Sequence, residues 1–322
     1  MPSPRNQSSQ RTSVKQYAPL TPTLMWQLAA PHTWAATIAA VLFSFTYAAC
    51  AYSGTMNIVL TLVLFIVCAL MQSAANVFND YFDYIKGTDT LENSSHDTFD
   101  AVLVYNHVNP RTVLFYGIVL LLAALASGIY IIVVTSWIPL VIGIIGALVV
   151  LLYSAGKTPI SYLPFGEIIV GFVMGGLIPL ACCYVLSGAL DFFVLVAALP
   201  IMIGIGLILA TNNTCDIEKD SSTTRKTCAM VLGREKAVRV YRITVIVWIV
   251  LIGVLTTCLF TPGLLLFAIM LVALYPNYRA LFHNPLNAQT RDKTMPLITG
   301  LNISMTAFYC LAIMSSLIIT WI

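Results

Sequence analysis

Residues 57–83 read NIVLTLVLFIVCALMQSAANVFNDYFD. A long apolar run ends in amides and carboxylates: Asn76, Asn79, Asp80 and Asp83, running on to Gly87 and Asp89. A bilayer core demands a helix of roughly 20 apolar residues, so the stretch predicts a membrane-spanning helix with a polar end. A second string, Asn212-Asn213-Thr214-Cys215-Asp216-Ile217-Glu218-Lys219-Asp220, closes another apolar segment in the same way. Acids are costly near a bilayer, which points to a retained task. Holding a divalent metal against a phosphorylated substrate is the task that suits them.

The rest of the chain has the same character. Hydrophobic residues make up 59% of the 322 and charged residues 9%, and mean hydropathy is +0.89, whereas soluble domains carry about 25% charged residues. This composition excludes a soluble globular enzyme and predicts an all-α, polytopic membrane protein. Apolar runs predict nine transmembrane helices, near 33–53, 57–83, 112–134, 137–153, 165–187, 192–212, 237–260, 263–282 and 295–320. Only Thr135 and Ser136 separate the third from the fourth. The sixteen Lys and Arg lie in or beside five places: the N-terminal segment and the loops after helices two, four, six and eight. The positive-inside rule then sets the N-terminus and both polar strings on the cytoplasmic side of the cell membrane. Residues 1–25 are polar, lack the apolar core of a signal peptide, and read as a disordered cytoplasmic tail before one transmembrane domain, 26–322. The eight cysteines show neither metal-ligand nor disulfide spacing and read as small packing residues.

Asn212, Asp216 and Asp220 recur at i, i+4 and i+8, so a continuous helix would stack them on one face. Asn79 and Asp83 repeat the i, i+4 relation, and Gly87 can end the helix and fold Asp89 back. Crowded carboxylates repel unless cations intervene. Mg²⁺ takes oxygen ligands, typically one or two carboxylates plus substrate phosphates, so two facing clusters suggest two ions with a diphosphate between them. Lys157, Arg225 and Lys226 are nearby cations for the remaining phosphate oxygens. The alternative is that these acids are solvated boundary residues paired with lysines; their repetition in corresponding halves favours the site. The long loops 84–111 and 213–236 are candidate lids.

At these residues the chain resembles the UbiA superfamily of intramembrane aromatic prenyltransferases, and within it the menaquinone branch, the 1,4-dihydroxy-2-naphthoate polyprenyltransferases. The stretch from Asn79 to Asp89, with Gly87 inside it, is similar to the branch's first motif. Asn212 through Asp220, with Arg225-Lys226-Thr227 and Gly233, is similar to its second. Leu152-Tyr153-Ser154 through Pro159-Ile160-Ser161-Tyr162 to Gly166-Glu167, and Trp26 through Pro31, resemble two further segments. The resemblance implies nine helices bundled around a central cavity. It implies metal–diphosphate ligation by Asn79, Asp83, Asp89, Asn212, Asp216 and Asp220. It also implies transfer of a polyprenyl group from its diphosphate to dihydroxynaphthoate, with loss of CO₂, giving demethylmenaquinone. Cys215 stands where the branch commonly has Arg, which removes a potential phosphate contact.

An allylic cation needs a dry pocket and can be steadied by aromatic faces; Tyr153, Tyr162, Tyr81 and Phe82 are near enough in sequence to serve, or to be packing residues. Asp80 and Glu167 could position the acceptor or act as a base, or pair with Lys157. His32 reads as structural. Two other readings stand: the same chemistry on another phenol such as 4-hydroxybenzoate, and an ion-coupled transporter, which repeated halves and intramembrane acids also fit.

Overall fold

The computed structural model describes residues 17–52, 57–92 and 101–319. Among these, regular secondary structure is helical apart from one isolated bridge between Ala18 and Val108. Helices occupy the positions of all the expected spans: Ala35–Ala51, Ile58–Lys86, Pro110–Val134, Ile138–Ser154, Gly166–Ser187, Leu199–Cys215, Arg234–Leu259, the pair Thr261–Ala273 and Tyr275–His283, and Arg291–Ile319. By length and apolarity, six helices among the described residues can cross a membrane, or seven if the pair bent by 49° is one span. Ile138–Ser154 and Leu199–Cys215 have 17 residues each, the short end of what a bilayer core accepts.

The thin boundary between the third and fourth spans is a real turn. The Thr135 N–H and hydroxyl both bond back to the Ile131 carbonyl, at 3.0 and 2.6 Å, and Pro139 opens the next helix, where its missing N–H costs nothing. The tail expected over 1–25 is described only from residue 17 onward. Residues 1–16 lie outside the described residues, but Ala18 donates to the His107 carbonyl and a helix runs over Pro22–Ala29, capped by the Thr21 hydroxyl. Asp97 and Asp100 of the first candidate lid also lie outside the described residues.

The main core joins helices 35–51, 166–187, 199–215, 234–259 and 291–319 around Phe43, Trp248, Met305 and Tyr309, each no more than 1% exposed. Phe43 and Tyr309 stack with centroids 6.1 Å apart. Large apolar side chains elsewhere face outward, among them Leu122, Val133, Ile144, Leu148 and Val250, as a lipid-facing surface requires. All eight cysteines are free thiols.

Helix 166–187 carries one π-helical turn, Val173–Leu177, a local widening of the helix found often at functional sites. Gly175 in that turn sits against the backbone of helix 199–215: a Cβ there would lie 2.5 Å from the Met202 Cα and 2.6 Å from its nitrogen. Backbone cannot move aside as a side chain can. Gly175→Ala is therefore expected to destabilise the protein by about 1–3 kcal/mol or more, read as a lowered unfolding temperature in detergent. Gly128→Ala, with nothing within 4 Å of the added carbon, should leave that temperature unchanged or raised. Equal behaviour of the two variants would show that the close helix contact is absent in solution.

Candidate active site

The two polar strings meet across one cavity of about 340 Å³. Asn79, Asp80, Asp83 and Asp89 line it from the first string, Asn212, Asp216 and Lys219 from the second. Arg225, Arg291 and Tyr153 complete this polar wall. A second wall is apolar: Gly146, Val149 and Val150 from helix 138–154, Val170, Val173 and Met174 from helix 166–187, Ile205, Ile208 and Leu209 from helix 199–215, and Met295. Gln27, Leu28, Ala30, His32 and Thr33 close one side. Asn76 anchors that entrance segment, donating to the Ala29 carbonyl (3.1 Å) and the Thr33 hydroxyl (2.9 Å).

Local backbone rules place the first string. Helix 58–86 ends at Gly87, whose φ of 69° is left-handed, a conformation open to glycine at little cost. The chain then turns back, so that the amides of Thr88 and Asp89 bond to the Asp83 carbonyl at 2.9 and 3.2 Å. Asp89 is thereby returned beside Asp83, as the glycine predicts. Asn79 donates to Asp83 Oδ2 at 3.0 Å and to the Ser154 hydroxyl at 3.3 Å.

The second string departs from a continuous helix. Helix 199–215 stops at Asp216, whose φ and ψ are −96° and 11°, and a short helix resumes over Ile217–Ser221. Asn212 and Asp216 consequently line the cavity, whereas Asp220 turns inward and is fully buried.

Three cations hold the acids. Arg225 pairs with Asp83 and, at 3.3 Å, with Asp220, bridging the two strings. Lys219 Nζ lies 2.8 Å from Asp89 Oδ1, a second bridge. Arg291, at the start of helix 291–319, donates to Asn212 Oδ1 at 2.7 Å and places Nε 3.2 Å from Asp216 Oδ1. Burial pushes the Asp220 carboxyl up to about 6, with Arg225 pulling the other way. Burial also opposes the charge on Arg225, but Asp83 and Asp220 more than offset it and raise its affinity for the proton.

The oxygen donors fit a hard divalent ion. Asp80 Oδ1, on a residue of the cavity wall, is buried without a hydrogen-bond partner among the described residues, a lone pair that a cation would satisfy. Among the described residues no three acidic, His or Cys side chains converge on one metal position. Mg²⁺ takes one or two carboxylates and completes its shell with phosphate oxygens and water.

Several expected roles are corrected by position. Lys157 and Lys226 are exposed and stand outside the cavity lining; Lys226 instead donates its backbone amide to the Tyr162 carbonyl. Tyr162 is buried, bonds Thr88 through its hydroxyl at 2.6 Å, and has its ring beneath Lys86 Nζ (4.9 Å) and the Arg225 guanidinium (5.3 Å). Its cation-binding face thus serves protein cations. Glu167 accepts from Asn213 at 2.8 Å, not from the cavity. Asp80 lines the cavity, but its Oδ2 is committed to the Val102 amide at 3.0 Å, securing the loop segment 101–106. Cys215 is fully buried in the main core, so an arginine is not missing from the cavity at that position. The cation facing Asp216 is Arg291, which sequence reading overlooked. The available signal was a basic residue opening a long apolar helix on the same side as both strings. Lys219 and Lys86 were overlooked too; Lys86 donates to the Ser154 carbonyl at 2.6 Å.

A family model described as the UbiA prenyltransferase family matches residues 38–306. The 1,4-dihydroxy-2-naphthoate octaprenyltransferase of Bacillus subtilis (strain 168) is 32% identical over 247 residues, covering 75% of this chain and 76% of that protein. Human UbiA prenyltransferase domain-containing protein 1 is 27% identical over 176 residues, covering 53% and 51%. A solved UbiA homolog from Archaeoglobus fulgidus bound to DMAPP and Mg²⁺ has a TM-score of 0.61 at 14% identity, covering 90% of this chain and 99% of that one. A digeranylgeranylglyceryl phosphate synthase structure has a TM-score of 0.59 at 18% identity, covering 91% and 98%. The structural likenesses speak to the fold.

Proposed function

This chain belongs to the UbiA prenyltransferase family, and from that premise we propose that it transfers a polyprenyl group from polyprenyl diphosphate to 1,4-dihydroxy-2-naphthoate in a Mg²⁺-dependent reaction, with loss of CO₂, giving demethylmenaquinone in its reduced, quinol form. The observation that carries the reading is the cavity itself, where two acid–amide strings and three cations meet above an apolar floor. The choice of acceptor is supported by the Bacillus subtilis relative, named for dihydroxynaphthoate and similar over three quarters of both chains. Membership in the family sets aside the transporter reading.

The diphosphate belongs at the polar wall and the prenyl chain along the valine, isoleucine and methionine floor. Asn79, Asp83 and Asp89 on one side, and Asn212 and Asp216 on the other, would hold Mg²⁺, two ions in this reading, with Asp220 behind them as the partner of Arg225. Bound there, the metal supplies Lewis-acid stabilisation of the departing diphosphate. Arg225 and Lys219, freed from their carboxylates, can take phosphate oxygens and add preorganised positive charge where negative charge develops. The allylic C–O bond breaks with its electron pair on the diphosphate, and the acceptor ring carbon attacks the allylic carbon. Tyr153 is the aromatic residue on the cavity wall and can present its face to the allylic cation, while the apolar floor excludes water that would otherwise capture it. Residues 26–322 act as one catalytic domain. Nine crossings, with the N-terminus and both strings on the cytoplasmic side of the cell membrane, account for the placement of the basic residues.

Membranes expressing the chain, supplied with dihydroxynaphthoate and geranylgeranyl diphosphate, are expected to yield a demethylmenaquinone-type product by mass spectrometry. The product should disappear with chelator and be absent from empty-vector membranes. Prenylation of 4-hydroxybenzoate but not of dihydroxynaphthoate would overturn the acceptor and keep the reaction class.

A further inference from the structure

Arg291 belongs to neither string, yet it is the cation that faces the second one. Its guanidinium donates to Asn212 Oδ1 and lies against Asp216 Oδ1, two of the three residues of that string that reach the cavity. Its side chain is 15% exposed and itself lines the cavity. These are oxygens that a divalent ion would need. A divalent ion on Asp216 would compete with the guanidinium for the same negative charge and lie close to it, which would favour release of Arg291 from the carboxylate. The side chain is tethered at the start of a long helix packed into the core, which keeps it at the cavity wall. The anion that arrives there with the metal is the diphosphate, and the planar fork of arginine matches phosphate oxygens in pairs.

We propose that Arg291 is a diphosphate-binding residue, held on Asn212 and Asp216 when the cavity is empty and passed to the phosphate oxygens when substrate enters. The proposal rests on the prenyl diphosphate reading above. It also gives the partnership with Asp216 a purpose: the guanidinium neutralises the acid between turnovers and keeps the second string in register.

Isothermal titration of the detergent-purified full chain with inorganic pyrophosphate and Mg²⁺ tests it. Arg291→Ala is expected to weaken pyrophosphate binding by at least about tenfold, in keeping with the loss of a charge-assisted hydrogen bond. Arg291→Lys keeps a charge against Asp216, and so the fold, but loses the fork; its affinity should fall between the two. In turnover, KM for geranylgeranyl diphosphate should rise in both variants while KM for the acceptor stays within about twofold of wild type. Wild-type affinity for pyrophosphate in Arg291→Lys and Arg291→Ala, with only thermal stability lowered, would make Arg291 a structural residue and overturn the proposal. A wild-type protein that binds no pyrophosphate at all would overturn the diphosphate reading and the proposal together.

Discussion

Asp83→Asn and Asp216→Asn are each expected to reduce prenyl transfer by about two to three orders of magnitude, the scale seen when one preorganised electrostatic contact to a developing charge is removed. Asparagine keeps the shape and much of the hydrogen bonding but removes the charge. Asp83 is 4% exposed and holds both Arg225 and Asn79; Asp216 holds Arg291. With either acid neutralised, three clustered cations face one fewer anion, which disfavours a divalent ion at that side of the cavity. Lys157→Gln and Lys226→Gln are the controls, because both side chains are exposed and stand outside the lining; each should remain within about twofold of wild type. Initial rates of diphosphate release, with thermal unfolding of each variant in detergent, make the comparison. Near wild-type rates for both asparagine variants would sink the two-sided metal–diphosphate site.

What could be read from the sequence, and what could not, divides by range. Apolar runs located the helices to within a few residues because hydrophobic length is a property of contiguous sequence. The turn at Gly87 was legible for a similar reason, since a left-handed cap depends on one residue and its neighbours. Rotation about a helix axis is set by packing against helices distant in sequence, and there the reading weakened. Tyr162 and Glu167 lie near the site in sequence but turn toward Thr88 and Asn213. Asp220 obeys its spacing but leaves the cavity, because the helix breaks at Asp216. Ion pairs were the least legible. Arg225 meets Asp83 across 142 positions and Arg291 meets Asn212 across 79, and no local pattern encodes either partnership.

Arg225→Gln is expected to destabilise the empty protein strongly. Arg225 is the shared partner of Asp83 and Asp220, its side chain only 12% exposed, and removing one member of a buried ion pair costs about 3–5 kcal/mol because the charges left behind are uncompensated. Here two acids are abandoned, one already carrying an oxygen without a hydrogen-bond partner. The unfolding temperature in detergent should fall on the order of ten degrees. Two compensations should follow if the acids are the cause. Asp83→Asn combined with Arg225→Gln should recover part of the loss, since a neutral amide needs no counter-charge. Saturating Mg²⁺ without pyrophosphate should raise the unfolding temperature of Arg225→Gln by more than it raises that of wild type, because in wild type the ion must first compete with Arg225 for Asp83. An additive double variant, together with equal stabilisation of both proteins by the ion, would mean that Arg225 packs beside these carboxylates without governing them. The exchange of protein cations for metal and diphosphate would then not be how this cavity accepts its substrate.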